Sequence, residues 1–217
     1  MEAIMSKVNE STKVIFVCSP NNPSGNAIPM YQIQSLLDQF SGLVVVDEAY
    51  IDFSSKGSAL CLLDEYSRLM ICQTFSKAYG LAGIRLGIGM ANPVIIEYLN
   101  KIKPPYNINI LTQKMALAAL NDYTDVQSQV KTLISERQQM EKSLLSFDFI
   151  KYIYPSDANF LLIEVDDASL RYDQFLTLGI VVRDRSSLLG CNNTLRITMG
   201  TPKENITFIN ACKTIDQ

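Results

Sequence analysis

The sequence predicts an α/β protein, in which a parallel-rich sheet with covering helices is followed by a smaller α+β domain. In the first half, short apolar runs alternate with amphipathic segments of helical period, the pattern of parallel strands joined by helices. This alternation breaks at Lys103-Pro104-Pro105, and proline pairs of this kind mark loops. We therefore predict one domain over residues 1–103 and a second over residues 104–217.

Four short apolar runs are the predicted strands of the parallel sheet. They are Val14–Cys18, Leu43–Asp47, Leu69–Gln73 and Arg85–Met90. Between the first two runs, Pro29–Phe40 carries apolar residues at helical spacing, which predicts a helix that covers the sheet. A second helix is predicted from the Asn92-Pro93 N-cap to about Lys101, because asparagine caps helices and proline suits the first helical position.

The second domain is predicted to contain three strands and four helices. In chain order the elements are helices Leu111–Leu120 and Thr124–Leu145, strand Asn159–Val165, helix Arg171–Leu178, strands Ile180–Arg183 and Leu195–Met199, and a final helix. Gly179 ends the third of these helices, since glycine tolerates the left-handed conformation found there. Thr201 and Glu204 have the spacing of a capping box, which opens the last helix.

Charge and composition exclude several classes of function. A net charge of −3 gives no basic surface for nucleic acid or an anionic membrane, and no apolar run approaches the ~20 residues that span a bilayer. The chain has no histidine, which removes Ser-His-Asp catalysis and the usual zinc sites, so we predict no metal. Five cysteines without a Cys-x-x-Cys pair favour reduced thiols and a cytoplasmic protein.

Chemically informative side chains follow the predicted strands where each strand ends. Asn22 follows the first strand, Asp47 closes the second, and Lys77 follows the third. Ligands of open α/β sheets bind outside the carboxyl ends of the strands, so we expect these side chains to lie close together. With Tyr50 and Arg85, they supply the amine, carboxylate, phenol, amide and guanidinium that pyridoxal 5′-phosphate requires.

Two of these residues have predicted roles in the chemistry itself. Lys77 would form the imine with the coenzyme and, once displaced by substrate, would act as the base that moves a proton. Asp47 would face the ring nitrogen and keep it cationic. The alternatives are a solvated surface lysine and an acidic residue that caps a helix. The side chain of Glu48, which follows Asp47, should point to the other side of the chain and has no predicted role.

The remaining candidates would hold the coenzyme. Tyr50 and Asn22 would donate hydrogen bonds to its phenolate oxygen. Arg85, with the hydroxyls of Ser76 and Thr74, would bind its phosphate, because guanidinium offers bidentate and always-charged recognition. Taken singly, such residues have simpler explanations: a core tyrosine, an Asn-Pro turn and a structural arginine.

Three motifs resemble those of the class I/II aminotransferases, the fold-type I pyridoxal-phosphate enzymes. They are Asn22-Pro23-Ser24-Gly25, Asp47-Glu48-Ala49-Tyr50 and Ser76-Lys77-Ala78-Tyr79-Gly80-Leu81-Ala82-Gly83-Ile84-Arg85. Within this family the chain most resembles the histidinol-phosphate aminotransferases, along its full length. The resemblance implies amino-group transfer between histidinol phosphate and 2-oxoglutarate. It also implies a homodimer that acts on small amino-acid and keto-acid substrates.

The resemblance further implies a substrate site on the second domain. In that family the arginine matching Arg196 binds the substrate α-carboxylate, the arginine matching Arg183 meets the substrate phosphate, and Asn159 helps to orient the carboxylate. Two fixed guanidinium forks suit the two anionic ends of an amino phosphate. A salt bridge at the rim is the alternative for either arginine. The rival enzyme is a phosphothreonine-type decarboxylase of the same subfamily, which shares both arginines.

The start of the chain departs from the family pattern. Members of the family have several strands and helices before the Asn-Pro-Ser-Gly motif, which supply a ring-stacking aromatic and a helix N-terminus for the phosphate. Here 21 residues precede Asn22. We therefore expect the chain to correspond to the C-terminal part of such an enzyme, with residues 1–103 belonging to its coenzyme-binding large domain. The expectation is weak coenzyme binding, little turnover and a tendency to associate, with a catalytically silent fragment as a further alternative.

Overall fold

The computed structural model describes residues 2–216 and contains two four-stranded sheets. By their internal contacts these residues form two compact units. The first unit comprises the described residues up to Pro20 together with Ala27–Gln127, and the second comprises Asn21–Asn26 and the described residues from Ser128 onward. The predicted boundary at residues 103 and 104 falls within the first unit. The assignment of residues 1–103 to a coenzyme-binding domain stays a prediction.

The first unit contains a sheet whose first three strands are parallel. Strands β1 (Val14–Cys18), β2 (Leu43–Asp47) and β3 (Leu69–Thr74) pair in chain order, and β4 (Gly87–Ala91) pairs antiparallel to β3. The antiparallel β4 corrects the prediction that all four strands are parallel. The connection from β3 to β4 contains only turns and a three-residue 3₁₀ segment, Ala82–Ile84, whereas a parallel crossover usually needs a helix.

Helix α2 covers one face of this sheet. The helices of the first unit are α1 (Glu2–Met5), α2 (Met30–Gln39), α3 (Pro93–Ile102) and α4 (Ile110–Asn121), and α5 (Tyr123–Leu144) begins there and continues into the second unit. Residues Ile33, Leu36 and Leu37 of α2 are buried in one cluster with Val44 and Val46 of β2, each burial contributing about 1.5–3 kcal/mol. Because side chains alternate along a strand, Asp47 points to the opposite face.

The second unit contains an antiparallel sheet with the strand order β5-β6-β8-β7. Its strands are β5 (Ile150–Tyr154), β6 (Phe160–Val165), β7 (Arg183–Asp184) and β8 (Thr194–Thr198), and its further helices are α6 (Ala168–Thr177) and α7 (Pro202–Ile215). The prediction of a strand over Ile180–Arg183 is wrong at its start, since the ladder begins at Arg183. Val182 instead enters the buried core, which accounts for the apolar run.

The core of the second unit lies on one face of its sheet. Leu195 and Ile197 of β8 are buried there together with Phe175 of α6 and Phe208 of α7, whose rings stack at 5.0 Å. Residues between them on β8 point the other way, so Arg196 lies on the face opposite the helices. The predicted capping box at the start of α7 is confirmed, because both of its reciprocal hydrogen bonds are present.

An ion pair joins the start of α6 to the preceding loop. Arg171 Nη2 lies 2.6 Å from Asp166 Oδ2, and Arg171 Nε donates to Asp166 Oδ1 at 2.9 Å. The hydrogen bond from Arg171 lowers the pKa of Asp166 to about 2. Because the folded-state pKa is depressed, the pair stabilises the fold above the unfolded-state pKa of roughly 3.9, and its contribution is lost as pH falls through about 2.

We predict that Asp166→Asn lowers the free energy of unfolding by about 1 kcal/mol at pH 7, since the carboxylate is partly exposed and solvent screens the pair. The deficit should shrink as pH falls from about 4 towards 2. Urea titrations across this pH range would measure it. Asp173→Asn, which changes an exposed carboxylate on α6, is the matched control and should differ little from the parent at any pH.

Candidate active site

Asp47 lies in a row of three side chains at the carboxyl end of the first sheet. The strand register aligns Cys18 of β1, Asp47 of β2 and Cys72 of β3. Burial, with the negative charge of Asp47 adding to it, raises the pKa of both thiols, so they are neutral at neutral pH. Asp47 is therefore the anion of this row, and its Oδ1 also accepts a hydrogen bond from Ala49 N–H at 3.0 Å.

Glu48, the next residue, is a structural carboxylate. It is 2% exposed and accepts hydrogen bonds from Ser58 Oγ at 2.6 Å, Ala59 N–H at 2.6 Å and Gln73 Nε2 at 2.9 Å. These donors join the end of β2 to β3 and to the 3₁₀ segment Ala59–Leu62. Adjacent carboxylates thus have different surroundings, because consecutive side chains leave a strand on opposite faces.

Lys77 and Tyr50 are brought together. Lys77 Nζ lies 5.1 Å from the centroid of the Tyr50 ring, and Tyr50 is 7% exposed whereas Lys77 is exposed. The turn that carries Lys77 is closed by a hydrogen bond from Leu81 N–H to the Phe75 carbonyl at 2.9 Å. Gly80, at φ 65°, provides the left-handed conformation that this turn needs. The amine thus lies over the face of a fixed phenol ring, an arrangement that favours a cation.

The predicted phosphate ligands occupy the segment that surrounds Lys77. The Thr74 hydroxyl donates to the Leu86 carbonyl at 3.3 Å and accepts from Ser76 N–H at 3.0 Å. Its one hydrogen is thus already used inside the fold, so donation to a phosphate would require that bond to break. The roles of Thr74 and Ser76 toward the coenzyme remain predictions.

Arg85 has an unusual backbone conformation for an arginine. Its φ of 55° and ψ of 46° are left-handed, which costs roughly 1–2 kcal/mol in a residue with a side chain. Two contacts fix the turn: Arg85 Nη1 donates to the Ala82 carbonyl at 3.0 Å, and Thr112 of α4 donates to the Ile84 carbonyl at 3.3 Å. Strain of this kind concentrates at functional sites. The structure corrects the prediction that Arg85 begins a strand.

The Asn-Pro-Ser-Gly motif belongs by its contacts to the second unit. Gly25 has φ 80°, and a Cβ built on it would lie 2.6 Å from Ser156 Oγ, so a side chain does not fit there. Its carbonyl accepts a hydrogen bond from Asp157 N–H at 2.7 Å. Arg196 Nη1 donates to Asn22 Oδ1 at 2.7 Å. The Asn22 oxygen thus acts as an acceptor, and its Nδ2 is the only atom of this amide that can donate.

The predicted substrate residues lie on or beside the second sheet. Arg183 pairs with Arg196 across β7 and β8, which puts both side chains on the face opposite the helical core. The Arg196 guanidinium lies 5.1 Å from the Phe160 ring centroid. Asn159 directly precedes β6, and its carbonyl accepts a hydrogen bond from Met199 N–H at 2.9 Å. Two guanidinium side chains that leave paired strand positions on the same face can bind a dianionic small molecule.

Sequence reasoning missed Arg137 of α5. Its guanidinium is buried and its Nη1 donates to the carbonyl of Ala158, the residue before Asn159. Desolvation lowers the pKa of Arg137, against the opposing charges of Asp157 and Glu141. The arginine holds the loop that also contacts Gly25. No sequence signal distinguished it, because it lies among polar residues on a long amphipathic helix.

Most of the chain matches one family of known proteins. Residues 1–212 match the family described as aminotransferase class I and II. The chain therefore belongs to that family, and the predicted fold class is confirmed.

Several of the proteins that resemble this chain are histidinol-phosphate aminotransferases. The chain is 53% identical over 212 residues to a histidinol-phosphate aminotransferase of Flavobacterium psychrophilum, covering 98% of this chain and 61% of that protein. The crystal structure of the histidinol-phosphate aminotransferase from Clostridium acetobutylicum matches with a TM-score of 0.92 at 26% identity, over 99% of this chain and 67% of that one. A histidinol-phosphate aminotransferase from Sinorhizobium meliloti, solved in complex with pyridoxal 5′-phosphate, shares the fold at a TM-score of 0.86 and 22% identity, over 99% and 60% of the chains. The chain thus spans about 61% of the length of its curated relatives.

Two features are absent from residues 2–216. None of the helices in this range combines the length and apolar character needed to cross a membrane. Within the same range, no group of three or more Cys, Asp or Glu side chains is arranged to hold a metal ion.

We predict that Glu48→Ala lowers the free energy of unfolding by at least about 2 kcal/mol, because three donors lose a charged and buried acceptor. Asp47→Ala should cost less stability, because the contact described for Asp47 is one amide at the strand end. Denaturant unfolding of both variants would compare them. Equal losses would contradict the division between a structural Glu48 and an Asp47 that serves a ligand.

Proposed function

We propose that the chain carries the catalytic residues of an aminotransferase that uses pyridoxal 5′-phosphate. The observation that carries this proposal is the position of the Lys77 amine over the buried Tyr50 ring, 5.1 Å from its centroid, on the loop that follows β3. Asp47 ends the neighbouring strand β2. Membership of the aminotransferase family and 53% identity to a histidinol-phosphate aminotransferase support the same conclusion.

The residues present fit this coenzyme by their donor chemistry. Pyridoxal phosphate, when bound, supplies an electron sink for the bonds at the substrate Cα. Asp47 would hold a proton on the ring nitrogen, since a carboxylate between two neutral thiols favours a cation beside it. Tyr50 and the Nδ2 of Asn22 would donate to the phenolate oxygen, and Arg85 and Ser76 would bind the phosphate. Thr74 would join them only if its hydroxyl releases the Leu86 carbonyl.

Lys77 would both anchor the coenzyme and move a proton. Its Nζ lies over the Tyr50 ring, and the turn from Phe75 to Leu81 fixes the backbone that carries this amine. As a free amine, it would take the proton from the substrate Cα and deliver it to the coenzyme carbon C4′, the general-base step of a transamination. Its exposure keeps this amine accessible to substrate.

The proposed substrate is a phosphorylated amino compound, histidinol phosphate, with 2-oxoglutarate as the amino acceptor. Arg196 would hold the α-carboxylate of glutamate and 2-oxoglutarate, with Asn159 orienting it. Arg183 would hold the phosphate. The cross-strand pairing of the two arginines puts both side chains on one face of the sheet and supports this assignment, since guanidinium forks suit both anions.

We also propose that the protein acts as a homodimer in the cytoplasm. Helices α3 and α4 expose a series of large apolar side chains, including Ile102 (80%), Leu111 (70%) and Tyr98 (64%), and Tyr106 between them is 95% exposed. Exposed apolar surface of this extent marks a protein interface, and a second copy of the chain is the partner that we propose. The five free cysteines support a reducing compartment.

The test of the coenzyme site is chemical labelling. With pyridoxal 5′-phosphate added to the purified chain, borohydride reduction and peptide mapping should place a pyridoxyl group on Lys77. Lys77→Ala should abolish this label, and Lys114→Ala, which removes an exposed lysine on α4, should leave it unchanged. A label that maps mainly to Lys114 or Lys101 would overturn the assignment.

Substitutions of Arg183 and Arg196 should weaken the binding of different substrates. Arg183→Ala should weaken binding of histidinol phosphate by about 2–4 kcal/mol, with little effect on histidinol, because a charge-assisted fork to phosphate is lost. Arg196→Ala should instead weaken glutamate. Calorimetric titration with the three compounds would measure both, and equal losses for histidinol phosphate and histidinol in Arg183→Ala would remove the phosphate role.

Product analysis separates the rival reaction, since a decarboxylase would release carbon dioxide rather than a keto product.

A further inference from the structure

Arg137 on α5 is a buried cation that is bonded to a loop of the second unit. It is 8% exposed, and its Nη1 donates to the Ala158 carbonyl. Burial of a charged group costs several kcal/mol, and an apolar side chain of similar volume often stabilises a fold as well or better. Packing alone therefore does not explain a guanidinium at this position, and the loop that it holds indicates its role.

Two carboxylates add to the attraction between Arg137 and this loop. Burial lowers the pKa of Arg137, and the negative charges of Asp157 and Glu141 act against that shift. Asp157 directly precedes Ala158, and Glu141 lies about one turn further along α5. The guanidinium, which stays charged in proteins, is thus drawn to the loop by a side-chain charge as well as by the hydrogen bond to a carbonyl.

The loop between β5 and β6 is cross-linked at the residue that Arg137 holds. Ser156 Oγ accepts from Ala158 N–H at 3.1 Å and donates to the Phe160 carbonyl at 2.6 Å. The N–H of Ala158 is thus fixed by Ser156 and its carbonyl by Arg137. Because a peptide unit is planar, an anchored carbonyl also fixes the direction in which the chain continues towards Phe160.

Two contacts connect this loop to Arg196. The Asp157 N–H donates to the Gly25 carbonyl at 2.7 Å, and Asn22, in the same short segment as Gly25, accepts from Arg196 Nη1 at 2.7 Å. Where the loop enters β6, the Phe160 ring centroid lies 5.1 Å from the Arg196 guanidinium. The guanidinium therefore contacts two groups, of which one adjoins the loop and the other is bonded to it through Gly25.

We propose that Arg137 is a positioning residue that orients the Arg196 guanidinium towards the carboxylate of glutamate and 2-oxoglutarate. It acts through the Ala158 carbonyl, and from there through Asn22 and Phe160, which contact Arg196. A bidentate contact between guanidinium and carboxylate depends on the angle between them, and a misplacement of about 1 Å can weaken catalysis roughly 100-fold. This inference rests on the proposed function, because it takes the carboxylate role of Arg196 from it.

The first test is calorimetry on the 217-residue chain, with 2-oxoglutarate and histidinol phosphate as probes. Arg137→Gln should weaken 2-oxoglutarate about tenfold and histidinol phosphate little, because the latter has no carboxylate. Arg171→Gln is the matched control: it removes an equal charge and breaks a structural ion pair of the same unit. It should lower the thermal stability and change neither affinity. Ser156→Ala should weaken 2-oxoglutarate by a smaller factor, and it tests the loop if Arg137→Gln does not fold.

The Nε–H of Arg196 gives a second measurement that needs no ligand. This nitrogen is inaccessible to solvent, so its proton should exchange slowly enough to be observed by NMR. Arg196→Lys would assign the signal by removing it. Arg137→Gln should move the signal, since the guanidinium changes its surroundings, whereas Arg171→Gln should leave it in place.

Several results would overturn the inference. They are unchanged 2-oxoglutarate affinity together with an unchanged Arg196 signal in Arg137→Gln, or in Ser156→Ala if Arg137→Gln does not fold. Equal losses for both ligands, or the same loss in Arg171→Gln, would leave only a general loss of structure.

The same measurements distinguish this inference from the proposed function. If the parent chain binds no 2-oxoglutarate, or if Lys77 takes no pyridoxyl label, while Arg137→Gln still moves the Arg196 signal, the proposed function fails and the positioning of Arg196 stands. If Arg196→Ala weakens glutamate as expected and Arg137→Gln changes neither measurement, the positioning role of Arg137 fails alone.

Discussion

The strand register of β1, β2 and β3 is the constraint on which the chemistry of the first unit depends. It aligns Asp47 with Cys18 and Cys72, and the loop that bears Lys77 begins where β3 ends. The register is held by burial of Val44 and Val46 against α2 on the other face. A slip of one residue would exchange the two faces, so that a carboxylate would enter the core. Hydrophobic packing on one side thus determines where charge lies on the other.

Much of the fold followed from local pattern. Strands β1 and β2 have the predicted bounds, because each is an apolar run with polar residues at its ends, and the Asn92 cap is present with its side chain accepting from Val94 N–H. Strand β5 was not predicted, because Ile150–Tyr154 alternates a lysine and tyrosines with isoleucines and leaves them largely exposed. The antiparallel direction of β4 was not predicted, because residue composition alone did not show that the connection from β3 to β4 lacks an α-helix.

The candidate site, like the fold, could be predicted from the sequence only in part. The residue types at the strand ends could be predicted, and alternation along β2 was enough to distinguish Asp47 from Glu48. Contacts between distant parts of the chain could not be predicted, since Asn22 and Arg196 are 174 residues apart in sequence and nothing local links them. The left-handed backbone of Arg85 could not be predicted either. The hydrogen bond from its side chain to the Ala82 carbonyl has no recognisable pattern in the sequence.

The segment Asn21–Asn26 has a consequence for any attempt to divide this protein into separately expressed pieces. It lies within the first unit in sequence but has its contacts with the second. A piece that begins at Ser128 would lack the Gly25 carbonyl that accepts from Asp157 and the Asn22 amide that accepts from Arg196. A piece that ends at Gln127 would carry this segment without the residues that order it. Gene fusions and split versions therefore need to keep both parts, or to graft the six-residue segment onto the second.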